Sequence, residues 1–260
     1  MNGTTPMNLA TAVYVDSSAM VAREIRRTLR SVDSMITALL IPVMILIVFT
    51  VIFGGSLETG GEYINYVVPG VLILCAGFGS ASTSVSVALD MKSGTIDRFK
   101  TLPIYGSSVL VGHVIASVLR NLVSSALVLA VAIALGFRPD ASIAGWLGAI
   151  GLLVLFILMM TWIACAVGLV LGPESSNGVS TIMLFLPYLS SGFVLTSTMP
   201  GWLEAFSNHQ PLTPIIESIR ALLMGSPAGN DAWFAIGWCL AIGSIAYLAA
   251  SYLFRRRTAA

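Results

Sequence analysis

Six stretches of the chain, 35–54, 66–89, 109–135, 143–171, 179–197 and 232–254, are each apolar enough and long enough to cross a lipid bilayer. A helix needs about 20 mainly apolar residues to span the hydrocarbon, where every backbone N–H and C=O must be satisfied within protein. Only modest loops remain between the stretches, and charged side chains make up 10% of the 260 residues, against roughly 25% in a soluble domain. That is too little polar surface to hold a chain of this size in water. The expected fold is an all-α integral membrane protein: a cytoplasmic lead over residues 1–34, then a transmembrane domain of six helices over 35–260. The first apolar stretch follows a long polar lead and no small-residue cleavage site closes it, so no cleavable signal peptide is expected.

Within the lead, Ala22, Ile25, Leu29 and Val32 recur at steps of three and four, while Arg23, Arg26, Arg27 and Arg30 fill the rest of the helical wheel. An amphipathic helix with this basic face suits an anionic membrane surface, where it would lie as an interfacial helix. A solvated helix docked on a partner is the other reading. Loop charges then orient the spans. With the N-terminus inside, the cytoplasmic side holds those four arginines, Lys92, Arg98, Lys100, Arg255, Arg256 and Arg257, and the opposite side only Arg138 and Arg220. Ten basic residues against two put both termini in the cytoplasm and require an even number of spans. The expected location is the inner (plasma) membrane, multi-pass.

Two segments outside the spans carry helix punctuation. In the cytoplasmic loop 90–104, Thr95 is placed to cap a helix, Asp97 lies in its first turn and Pro103 stops it. About two turns with Ile96, Phe99 and Leu102 available to pack are unstable alone, so they need a surface to rest on. In the external segment 198–226, Pro200 opens one short helix, while Thr213 as N-cap and Pro214 at the first helical position open a second, ended by Gly225. Neither can span. Leaving Trp202 and Phe206 in water would forfeit roughly 2–3 kcal/mol each relative to burial, so the segment is expected to be re-entrant or to lie in the outer interface. Glu217 and Arg220, three residues apart, can neutralise each other there. An external gate made of Trp202, Phe206, Pro211, Glu217 and Arg220 fits the pattern, and so does a loop packed on neighbouring spans.

Inside the spans Arg120 is the one deep charge, costing about 2.5–3.5 kcal/mol to insert at a helix centre. It either serves a substrate path or a buried interhelical pair, or it snorkels to the cytoplasmic interface. Pro42, Pro69 and Pro187 predict kinks, and Gly168 and Gly172 form a GxxxG suited to close helix packing. Cys75, Cys165 and Cys239 lie in apolar runs without metal-ligand spacing and read as inert packing.

No Gly-Lys pair occurs, so the chain carries no P-loop and cannot hydrolyse ATP by that route. The two histidines, His113 and His209, cannot assemble a His-based metal cluster or triad. The chain is not expected to be an enzyme in its own right or to bind nucleic acid. A secondary transporter or channel without an ATPase partner is the alternative function. Coupled carriers usually hold a carboxylate near the midplane, and no Asp or Glu lies deep in a predicted span. A purely structural or assembly membrane protein also fits the composition.

The loop Gly94-Thr95-Ile96-Asp97-Arg98-Phe99-Lys100-Thr101-Leu102-Pro103 resembles the coupling loop of ABC type-2 permeases, the membrane domains of a class of ABC exporters. The segment Pro211-Leu212-Thr213-Pro214-Ile215-Ile216-Glu217-Ser218-Ile219-Arg220 resembles their second signature, and Arg120-Asn121-Leu122 looks closest to the daunorubicin-resistance type. Asp97 and Phe99 stand where Glu and Leu are more usual, and Gln210 where Asn often precedes the proline. The resemblance implies a permease subunit moving a lipid-like, glycolipid or hydrophobic drug substrate outward. It implies a cytoplasmic ATP-binding-cassette ATPase as partner, with ATP and Mg on that subunit and no cofactor bound by this chain. It further implies a second permease chain, identical or homologous, surrounded by membrane lipid. Gly94, Thr95, Asp97, Arg98, Phe99 and Pro103 would then be the ATPase-coupling residues.

Overall fold

The computed structural model describes residues 21, 26, 32–53, 63–93 and 107–259. All regular elements among them are helical. In chain order they are α1 (Val32–Ile47), running into a π-helical segment (Val48–Phe53), then α2 (Tyr63–Lys92), α3 (Ser107–Ala134), α4 (Ile143–Val170) and α5 (Pro173–Phe185). Short 3-10 turns at Leu186–Leu189 and Thr196–Thr198 lead to α6 (Gly201–His209), α7 (Leu212–Leu223) and α8 (Asp231–Ala259).

Four of these, α2, α3, α4 and α8, are long and apolar enough to cross a membrane. The six-helix expectation is met in part. The first stretch is helical but changes from α to π at Val48, where the Thr50 hydroxyl donates to the Leu46 carbonyl at 2.7 Å. The fifth is not one helix over 179–197. It begins at Pro173, stops as an α-helix at Phe185, and continues through the turn that contains Pro187. At about 1.5 Å per residue, thirteen residues fall well short of a bilayer. The proline explains the stop, since it lacks an N–H and its ring clashes with the preceding turn.

The second external helix also starts earlier than expected, at Leu212 behind Pro211. Thr213 is therefore not its N-cap; its hydroxyl donates to the Ser207 carbonyl at 2.6 Å and fastens α7 to α6. Gly225 ends α7 as expected, in a left-handed conformation (φ 69°), with Ser226 N–H reaching the Ala221 carbonyl.

Helix α2 is the axis of the bundle and packs against α1, α3, α4, α5 and α7, while α8 lies outside on α4 and α7. Of the GxxxG pair, only Gly168 makes a close approach among the described residues: a Cβ there would strike the Ser84 carbonyl of α2, whereas one at Gly172 would meet none of them within 4 Å. Two apolar clusters result. The larger joins the Tyr63 end of α2 to α3, α4 and α7 through Val67, Val71, Phe156, Ile215 and Ile219. The smaller lies towards the Lys92 end, around Val87, Leu110, Cys165, Leu169 and Phe254.

Candidate functional site

Between the two apolar clusters lies a polar layer. On α2 it comprises Ser80, Thr83 and Ser84, on α3 Ser117, Arg120 and Asn121, on α4 Thr161, and on α5 Ser176 and Ser180. All but the half-buried Arg120 are buried. Arg120 Nη2 donates to the Gly79 carbonyl (3.0 Å), Thr83 Oγ1 (3.0 Å) and Ser82 Oγ (3.2 Å). Thr83 passes the chain to Ser117 Oγ at 3.2 Å, which meets Thr161 Oγ1 at 3.0 Å. Asn121 Nδ2 donates to the Ser117 carbonyl at 2.8 Å, and its side chain lies where a Cβ on Gly79 would be. Ser180 Oγ donates to the Ala81 carbonyl at 2.9 Å, bringing α5 into the layer.

Arg120 is thus bonded across to α2 through Gly79, Ser82 and Thr83. A guanidinium half-buried among carbonyl and hydroxyl oxygens has part of its charge solvated by protein, which makes it tolerable between apolar layers. Asn121 Oδ1 is buried without a hydrogen-bond partner among the described residues. Nearer the Lys92 end, buried His113 and Asp90 face each other across α3 and α2 with Nε2–Oδ2 at 3.2 Å. Nothing in the order of residues gave a sign that they would meet.

The second arrangement surrounds the broken fifth helix. Non-helical backbone at membrane depth persists only where protein satisfies it, and here side chains do so at alternate residues. The Pro187 carbonyl accepts from Ser190 Oγ, the Leu189 carbonyl from Gln210 Nε2 (2.6 Å), and the Phe193 carbonyl from Tyr63 OH (2.7 Å). The Ser191 carbonyl accepts twice, from Tyr66 OH (2.8 Å) and from Arg220 Nη2 (2.7 Å). Arg220 Nε also donates to the Tyr66 carbonyl, and Nη1 is ion-paired with Glu217. This pair is close but lacks hydrogen-bond alignment at Nη1. Gly70 and Gly192 touch backbone to backbone below this lattice, leaving no room for a Cβ at Gly70.

The expected gate residues therefore separate. Arg220 and Glu217 belong to the lattice and Pro211 precedes α7, whereas Trp202 and Phe206 of α6 stand out from the chain, 75% and 50% exposed. The apolar residues of α7, Ile215, Ile216 and Ile219, are buried in the core. Sequence reading missed Tyr63, Tyr66 and Gln210 as partners of the break. The one signal was Pro187 inside an apolar run, which announces freed carbonyls without saying what meets them. The coupling residues Gly94, Thr95, Asp97, Arg98, Phe99 and Pro103 lie outside the described residues, as do Arg23, Arg27 and Arg30; Arg26 is helical and exposed.

Residues 16–224 match the sequence profile of the ABC-2 type transporter family, a stretch that includes the 94–103 loop. The chain is 33% identical over 218 residues to the daunorubicin resistance ABC transporter permease protein DrrB1 of Streptomyces coeruleorubidus, covering 83% of this chain and 76% of that protein. It is 23% identical over 252 residues to the probable doxorubicin resistance ABC transporter permease protein DrrC of Mycobacterium tuberculosis, covering 96% of this chain and 91% of that one. A likeness of 24% over 201 residues links it to ABC transporter G family member 20 of Dictyostelium discoideum, 27% of whose length is covered.

Proposed function

The chain belongs to the ABC-2 type transporter family, and from that premise we propose that it is the membrane-spanning permease subunit of an ATP-driven exporter of hydrophobic or amphiphilic compounds. The observation that carries the reading is the polar layer around Arg120, which supplies hydrogen-bonding groups between the two apolar clusters of the bundle. Ionisable groups held inside a membrane bundle mark transport paths more often than scaffolding. With no P-loop of its own, the chain takes its energy from a cytoplasmic ATP-binding-cassette subunit, which holds ATP and Mg and docks on the 94–103 loop and the lead arginines. A second permease chain completes the path. Both termini face the cytoplasm, in accord with the basic side of the loops.

Co-reconstitution with the ATPase subunit tests this. ATP-dependent movement of a lipophilic dye out of the cytoplasmic leaflet supports the reading. Scrambling residues 96–99 with their charges kept should leave ATP hydrolysis but abolish that movement. Normal coupling in the scrambled protein removes the docking assignment. The buried Asp90–His113 pair favours one competing reading, a proton-coupled carrier. Dye movement driven by a pH gradient in vesicles that lack the ATPase would support that carrier.

A further inference from the structure

A cleft of about 770 Å³ opens between the α6–α7 pair and the first turns of α8. Three aromatic rings line it, Trp233, Phe234 and Trp238, together with the carboxylates of Glu217 and Asp231 and the imidazole of His209. No lysine or arginine is among the described residues that line it.

The aromatic residues share one face of α8. At about 100° per residue, positions 233, 234 and 238 fall within some 140° of one another, with 237 between them. Residue 237 is a glycine, and none of the described residues lies within 4 Å of the place its Cβ would occupy. The face is therefore a notch with an open floor and aromatic walls. An interfacial aromatic belt accounts for rings at the start of a span, but not for an open notch between them, for Asp231 in the first turn of the same helix, or for Glu217 facing it from α7. Glu217 is shared with Arg220, so Asp231 is the carboxylate available to a ligand. Aromatic faces and a carboxylate around an amphipathic cleft select an organic cation with a flat apolar body, which rings attract by their quadrupole and the acid by its charge.

We infer that this cleft binds lipophilic organic cations at the outer face of the protein, holding cargo there as it leaves. The inference rests on the export reading for its role but not for its binding chemistry.

Binding is measured first, on purified permease in nanodiscs without the ATPase, by fluorescence polarisation of ethidium (cationic) and Nile red (uncharged). Ethidium should bind the parent protein and lose about tenfold in affinity in Asp231→Asn and in Trp238→Leu. The Asp231→Asn change should leave Nile red untouched. Asp231 is exposed, so its variant keeps the fold and guards against a misfolded Trp238 variant. Unchanged ethidium affinity in both variants, or equal loss for both dyes in Asp231→Asn, overturns the site. Transport in the co-reconstituted complex is read separately: intact export with unaltered binding in the variants sinks the cleft alone. Site-dependent binding with no ATP-driven export sinks the export reading and leaves the cleft as a binding site.

Discussion

The guanidinium carbon of Arg220 sits 3.7 Å above the centroid of the Tyr66 ring, while Nε of the same group bonds the Tyr66 backbone carbonyl. Both residues also donate to the Ser191 carbonyl, so α7 and α2 grip the broken fifth helix from two sides. This makes Arg220 a structural pin at the extracellular end of the proposed topology rather than one half of a surface ion pair.

Replacing Arg220 with Gln should lower stability by about 1–3 kcal/mol, because the Ser191 carbonyl loses one of its partners and the Tyr66 carbonyl is left without this one. Lysine should restore little of it, since an ammonium cannot stack on the ring and serve two carbonyls in one plane. Thermal unfolding in detergent checks both; an Arg220→Lys protein as stable as the parent would contradict the pin.

Arg120 offers a test of function against scaffolding. Arg120→Leu removes an insertion cost of about 2.5–3.5 kcal/mol on translocon scales, so membrane yield should hold or rise. Transport should fall sharply if the polar layer serves cargo. Unimpaired export in this variant would leave Arg120 as packing.

The two glycines of the GxxxG should behave differently. Gly168→Ala drives a Cβ into the Ser84 carbonyl and should cost roughly 1–3 kcal/mol through forced separation of α4 and α2. Gly172 lies at the N-cap of α5, and a Cβ there would meet none of the described residues within 4 Å. There Gly172→Ser should be neutral or stabilising, since serine caps better than glycine. Paired melting curves distinguish them.

The lead arginines should matter together. Changing Arg23, Arg26, Arg27 and Arg30 to Gln should weaken assembly with the ATPase subunit, measured by co-purification, and disturb orientation of the first span, measured by cysteine accessibility. Assembly and topology both intact would reduce the helix to a tether.

Several features were legible in residue order because they depend on local chemistry. Apolar stretches long enough to replace water with lipid predict spans, and four are present as single long helices. Pro187 predicts a kink, and the helix breaks there instead; Pro200 and Gly225 predict the limits of the external helices. Less legible was Arg120, whose charge was plain but whose partners on α2 were not. Thr213 shows the failure in miniature: it looked like a cap because caps are read locally, and it bonds instead to the neighbouring helix.

Residue order alone names lipid as the solvent, counts the apolar segments approximately and raises an expectation of sidedness from ten basic residues against two. It took the packed bundle to bring Tyr63, Tyr66, Gln210 and Arg220 onto one short stretch of backbone from positions 21 to 130 residues away. The physical reason is that their acceptors are main-chain carbonyls. Every residue has one, so Leu189, Ser191 and Phe193 bear no mark of the bond they accept. Packing alone brings the donor within reach, and the unmet cost of a bare carbonyl in lipid makes the encounter matter.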